Sequence, residues 1–297
     1  MLLPALPARL HHFTSLGTAA QIIETDNVRL SHAEYSNDQT EMEQAKEIIL
    51  STLSSRPSHP FFQQAHAEYE KRAPELDAYI FCMSMDKPGA GQPQDILSQW
   101  RAYGQDGRGV ALTLATSQLA RMVGSVPNLR INPVIYARST QQLFVDGILD
   151  LGLAAHVRSD PFALDATLAA LAFATPLMKA PGFEEEREWR LIFMPPLLNP
   201  RPRLQFHPRR DFLAPYLDLQ YLWNHLRPQM VAIQALRASL PTHAPSITLP
   251  LLSIQEVMIG PSGHQTLNVR AFKKLLNQGA LASVTVERSQ IPYRSLG

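Results

Sequence analysis

The chain has one cysteine, Cys82, in 297 residues, which excludes an internal disulfide framework and a cysteine-built zinc site and fits a reducing compartment. It has no surplus of either charge. With 27 Lys+Arg against 26 Asp+Glu, no overall field draws nucleic acid, anionic lipid or acidic substrates, so every charge argument is local. No apolar run reaches membrane-spanning length: the longest, LAALAFATPLM at 168–178, contains Pro176 and predicts a buried helix. The opening MLLPALPARLHHFTS is apolar, but prolines at 4 and 7 and a basic residue after the apolar part break the order of a signal peptide. It reads as mature, cytoplasmic protein, with export by a specialised secretion system left open. Also missing are the G-x-S-x-G elbow and the G-x-x-x-x-G-K-[ST] and G-x-G-x-x-G phosphate loops. Hydrolase chemistry at a serine is therefore poorly supported, and GQDGRG at 104–109 reads as a hairpin-like turn.

What is present is a 45% hydrophobic chain long enough to bury a full core, taken here as a single domain over 1–297. RLHHFT, SLGTAAQIIETD and NVRLSHA read as strand, helix, strand. NDQTEMEQAKEIILSTLSS reads as a helix capped by Asn37 or Asp38, with acids in its first turn. LDAYIFCMSM is a strand, DKPGAGQP a loop, QDILSQWRAYG a short helix and VALTLA a strand. Residues 139–180 form a helical insertion in position to cap a cleft, broken near Asp160-Pro161. EREWRLIFMP, LPLLSIQEVMIGP and SVTVERSQIPY are strands, and HQTLNVRAFKKLLNQG is a helix. VPNLRINPVIYA and DFLAPYLDLQYLW are less legible. The irregular alternation predicts an α+β fold with one mixed, curved, split sheet flanked by helices.

The densest charge is in PGFEEEREWRLIFMP at 181–195. Glu184 and Glu185 read as a solvated turn. Glu186 and Glu188 share a side by the strand period of two, and Glu188 shares a face with Arg190. That arginine either pairs across an exposed face or is a buried partner that fixes the carboxylate. His11 and His12 are strand neighbours that point to opposite faces and cannot easily bind one metal together, and no metal site is predicted. RPRLQFHPRRD, with Arg201, Arg203, His207, Arg209 and Arg210, is a basic segment whose bland reading is a solvated loop.

In LHHFTS with VRLSHAEYSND, FCMSMD with LSQWRAYGQDGRGVALTL, FEEEREWRLI, and VMIGP with RSQIPYR, the chain resembles the bacterial domain-of-unknown-function family 2971. More distantly it resembles the ADP-ribosyltransferase superfold. There a His on the first strand, a Ser, Thr or Tyr on a middle strand and a Glu on a late strand surround NAD; His12-x-Thr14, Ser84 and Glu186-x-Glu188 match these positions. The resemblance implies an NAD-binding enzyme, toxin or defence-related, that transfers ADP-ribose to a macromolecular acceptor, protein or nucleic acid, or hydrolyses NAD. On that reading His12 orients the ribose, Ser84 supports the nicotinamide end, Glu188 stabilises the oxocarbenium ion and Glu186 serves the acceptor. Thr14, Trp100, Arg101 and Tyr103 are further NAD contacts, with Arg101 and Arg108 available to the pyrophosphate. The alternative is a catalytically silent binding module of the same fold.

Overall fold

The computed structural model describes residues 4–36, 40–56, 58–87, 95–126, 128–195, 202–208, 211–225, 252–279 and 281–293. Asn37, Asp38, most of the DKPGAGQP loop, Arg201, Arg209 and Arg210 lie outside them. The expected opening is present: β1 (Arg9–Thr14), α1 (Leu16–Thr25) and β2 (Arg29–His32). Ser15 starts α1 by accepting the Thr18 amide at 3.0 Å, which satisfies one of the unpaired N–H groups of the first turn. Ala19, Ile22 and Ile23 are its buried face, and Asp26 ends it in the left-handed region at φ 48°.

Helices α2 (Glu41–Ser54) and α3 (Pro60–Arg72) precede β3 (Tyr79–Ser84). The short α4 (Leu97–Ala102) leads into β4 (Val110–Ala115), α5 (Thr116–Ser125) and β5 (Leu129–Pro133). Residues 139–180 supply nearly all of α6 (Arg138–Val157), α7 (Ala163–Ala174) and a 3-10 turn, Thr175–Leu177. These helices pack on α2 and α3 around Ile49, Phe61, Tyr69, Val145, Leu149 and Leu171. A second 3-10 segment, Pro181–Glu186, runs into β6 (Glu188–Phe193). The chain closes with β7 (Gln205–Pro208), β8 (Leu213–Asp218), helical residues 219–225, β9 (Ile254–Ile259), α8 (Gln265–Asn277) and β10 (Thr285–Arg288).

The fold is α+β, with an open, mostly antiparallel sheet flanked by helices. Its strands run β10-β9-β4-β1-β3-β2-β8-β7, with β6 on β3 and β5 on β6, and β9–β10 is its parallel pair. β3 decides where a cleft can form. One of its edges is fully paired with β6, from Tyr79↔Phe193 to Ser84↔Glu188. The other is shared: β2 holds its start at Ser31↔Ile80 and His32↔Tyr79, and β1 touches its end only at His11↔Ser84. Between those contacts β1 and β2 diverge and the ladder is interrupted beside Phe81, Cys82 and Met83. The main core, including Leu10, Leu112, Leu191, Val257 and Ile259, lies beneath.

Candidate functional site

At the interruption the imidazole of His12 takes over from the backbone. Its Nδ1 donates to the carbonyl of Cys82 at 2.9 Å, and its ring lies 4.3 Å from that of Phe81. A carbonyl only accepts, so Nδ1 carries the proton. Burial lowers the His12 pKa from 6.5 to about 4, with the Cys82 carbonyl opposing the shift. At neutral pH the ring is uncharged and its Nε2 is a hydrogen-bond acceptor.

Over this gap lies a cavity of about 330 Å³ whose lining includes His12, Ser84, Tyr103, Glu186 and Glu188. Antiparallel register explains the meeting of Ser84 and Glu188, because residues opposite one another on neighbouring strands present side chains to the same face; His12, on the other face of β1 from His11, reaches the cavity at the gap itself, where it bonds the Cys82 carbonyl. His11, Ser84 and Glu188 are joined by register across β1, β3 and β6. Cys82 and Arg190 form the next such pair. A larger cavity of about 850 Å³, lined by residues of α3, α7 and β5, holds none of the sequence-predicted site residues.

The acidic end is an ion network. Glu188, 5% exposed, accepts from Arg190 Nε at 2.8 Å and Nη2 at 2.9 Å and from Lys179 Nζ at 3.1 Å. Arg190 is therefore the buried partner, and it also donates through Nη1 to Glu41 and, at 2.7 Å, to the Pro176 carbonyl. Lys179 Nζ reaches Glu186 at 2.5 Å, and the Tyr103 hydroxyl donates to the other oxygen of Glu186 at 2.7 Å. Burial alone would raise the Glu188 pKa, but the two cations outweigh it and hold it at about 2. Burial raises that of Glu41, with Arg190 opposing. The Cys82 thiol is pushed well above its usual range, first by burial and then by Glu188, and stays protonated and unreactive.

Glu186 and Glu188 converge by a different route from strand alternation. Glu186 ends the 3-10 segment, and Arg187 turns the backbone through the left-handed region at φ 47° before β6 begins. The local reversal brings both carboxylates to Lys179. Ser84 donates to Gln99 Oε1 at 3.1 Å, so α4 is fixed to β3 where it delivers Tyr103.

Other expected contacts fall elsewhere. Trp100 is fully buried, edge-on to Phe13, and bonded through its indole N–H to Asp95 at 2.7 Å; it is core. Arg101 is exposed on α4, and neither it, Arg108 nor Thr14 lines the cavity. On the opposite side Arg29, Ser31 and Tyr35 line it, and the Arg29 guanidinium rests 4.9 Å above the Tyr216 ring. His11 is committed to Asp86 at 2.9 Å and Thr113 at 3.1 Å. Residues 104–109 form a turn closed by Gly109 N–H donating to Gly104 O at 2.7 Å, not a phosphate cradle. Among the described residues no group of three or more His, Cys, Asp or Glu is arranged to hold a metal ion.

Lys179, Glu41 and Tyr136, whose hydroxyl accepts from the Glu188 amide at 2.8 Å, were not singled out by sequence reasoning. Lys179 had one signal, a charge closing the apolar tract at 168–178.

Residues 99–191 match the family model described as Protein of unknown function (DUF2971). The matched stretch runs from α4 into β6 and carries Tyr103, Lys179, Glu186, Glu188 and Arg190, the whole acidic end of the cleft apart from Glu41. His12, Arg29 and Ser84 lie outside it. No curated protein and no solved structure matches the chain.

Proposed function

We propose that the cleft binds NAD as substrate and breaks its nicotinamide–ribose bond in an ADP-ribosyltransferase-like reaction, passing ADP-ribose to a macromolecular acceptor or to water. The observation that carries this reading is the convergence of His12, Ser84, Glu186 and Glu188 on one cavity at the split of the sheet. At about 330 Å³ the cavity is at the small end for ligand sites. It suits the nicotinamide riboside end, with the rest of the dinucleotide passing towards Arg29 and the open side.

On this reading two roles differ from those the superfold resemblance implies. Neutral His12 accepts a hydrogen bond from a ribose hydroxyl through Nε2. A carboxylate offers about four lone-pair positions, and those of Glu188 go to Arg190 twice, to Lys179 and to the Cys82 thiol. Glu188 therefore acts as the buried negative charge beneath the site and orients Arg190 and Lys179. Glu186, at the rim and held by Tyr103 and Lys179, is the carboxylate that meets the sugar. It accepts from a ribose hydroxyl and gains interaction energy as positive charge grows on the anomeric carbon, which lowers the barrier more than it tightens binding.

The test is NAD titration by thermal shift, with nicotinamide release measured in parallel. NAD should raise the melting temperature, and Glu186→Gln should cut release by on the order of 10²-fold with little change in the shift. No shift at millimolar NAD would sink the proposal. A second reading, a silent binding module, is favoured by the saturation of Glu188, and would appear as a thermal shift without nicotinamide release.

A further inference from the structure

Lys179 is a long, flexible cation in an unusual place. Its side chain is 6% exposed, and its ammonium lies between Glu186 and Glu188, 4.0 Å from Glu41 and 4.8 Å from the centroid of the Phe183 ring. Glu188 does not depend on it, because Arg190 already binds both oxygens of that carboxylate. Glu186 does: Lys179 and the Tyr103 hydroxyl are its hydrogen-bond partners among the described residues. Phe183 belongs to the exposed 3-10 segment and presents its ring to the same cavity as Glu186. A carboxylate beside an aromatic face, within a cavity, recognises a cation.

We propose that the Lys179 ammonium stands in for the positive charge of the ligand, and that a planar organic cation displaces it from the corner formed by Glu186 and Phe183. The exchange follows from hydration. A primary ammonium is compact and strongly hydrated, and its four-carbon stem lets it swing towards water. A pyridinium spreads its charge over a ring, is weakly hydrated, and gains more from the Phe183 face. The three carboxylates Glu41, Glu186 and Glu188 outnumber the cations Arg190 and Lys179, so the corner keeps its need for positive charge when the lysine leaves. The choice of a pyridinium rests on the NAD reading; the displacement itself needs no bond cleavage.

The probe is 1-methylnicotinamide, a pyridinium without sugar or phosphate, compared with neutral nicotinamide. In protein carrying ¹³Cε-lysine, the Lys179 signal, identified by its loss in Lys179→Arg, should move on adding the cation and stay put with equal nicotinamide. By calorimetry Lys179→Met should bind 1-methylnicotinamide about tenfold tighter than the parent protein, a factor within the range spanned by exposed and desolvated cation–π contacts. Phe183→Ala, at an exposed position, should lose the response of the lysine signal. A signal unmoved by the cation, or moved equally by both probes, overturns the inference, and this arm decides even if Lys179→Met does not fold. A thermal shift with NAD but no lysine response would leave the dinucleotide reading and remove this one. A lysine response without NAD binding would do the reverse.

Discussion

Removing the Glu188 carboxylate would take one counter-charge from two buried cations, Arg190 and Lys179, and that governs what any variant there reports. Breaking one side of a buried ion pair costs about 3–5 kcal/mol. Arg190 keeps Glu41 and the Pro176 carbonyl, so Glu188→Gln should fall near the low end, as a lower urea midpoint with an unchanged slope. Activity lost in that variant would report folding as much as chemistry, which makes Glu186→Gln the cleaner probe. Acid acts through the buried histidines and through Glu188. The native pKa of His12 lies at about 4 against 6.5 unfolded, so the unfolded chain binds the extra proton between those values. The His12 contribution is complete above pH 6.5 and is lost as pH falls to about 4. The melting temperature should drop across that window, and His12→Gln should flatten the drop. Flattening will be partial, because burial also lowers the pKa of His11. Glu188 adds a second loss as pH falls from 4.5 towards about 2. His12, Ser84, Glu186 and Glu188 are marked by the resemblance to the ADP-ribosyltransferase superfold, whose short strings can be matched locally along a sequence. Glu41 was legible only as a first-turn helix acid; that it reaches β6 depends on packing 149 residues away.

Elements were legible where periodicity was strong. VALTLA is β4 to the residue, and LDAYIFCMSM contains β3 entire. Pairing was not legible, since register depends on which distant strand arrives, and nothing in EEEREW marks a left-handed turn at Arg187, a residue type with no preference for it. The turn before β4 makes its own demands. Gln105, Asp106 and Gly107 all have positive φ, and Gly109 is pressed against β1: a Cβ there would sit 2.2 Å from the Thr14 carbonyl oxygen and 2.9 Å from backbone atoms of Gly104. Gly109→Ala must push the start of β4 away from β1 and should cost about 1–3 kcal/mol by urea unfolding. Gly147, mid-way along α6, has nothing within 4 Å of an added Cβ. Gly147→Ala should instead stabilise by up to about 1 kcal/mol.

At the scale of the molecule, the helical cluster of α2, α3, α6 and α7 is joined to the sheet by a polar contact as well as packing, Glu41 on Arg190, and is tied within itself by Tyr69 on Thr175 at 3.0 Å. Opening free energy should be uneven. In native-state hydrogen exchange, the amides of β4 and β6, each paired on both sides, should be protected close to the global limit, and those of the edge strand β7 should exchange first. Comparable protection in β7 and β6 would contradict the topology. The interrupted ladder beside Cys82 carries a consequence for the cavity. Among the described residues, strand pairing joins the run β10 to β1 to the run β2 to β7 only through β3, while both runs pack on one shared core. Where a continuous ladder would run, this seam is spanned by the side chain of His12. The break in the ladder and the cavity therefore coincide, and the cavity wall draws on both runs of strands, His12 from one and Arg29 and Ser31 from the other.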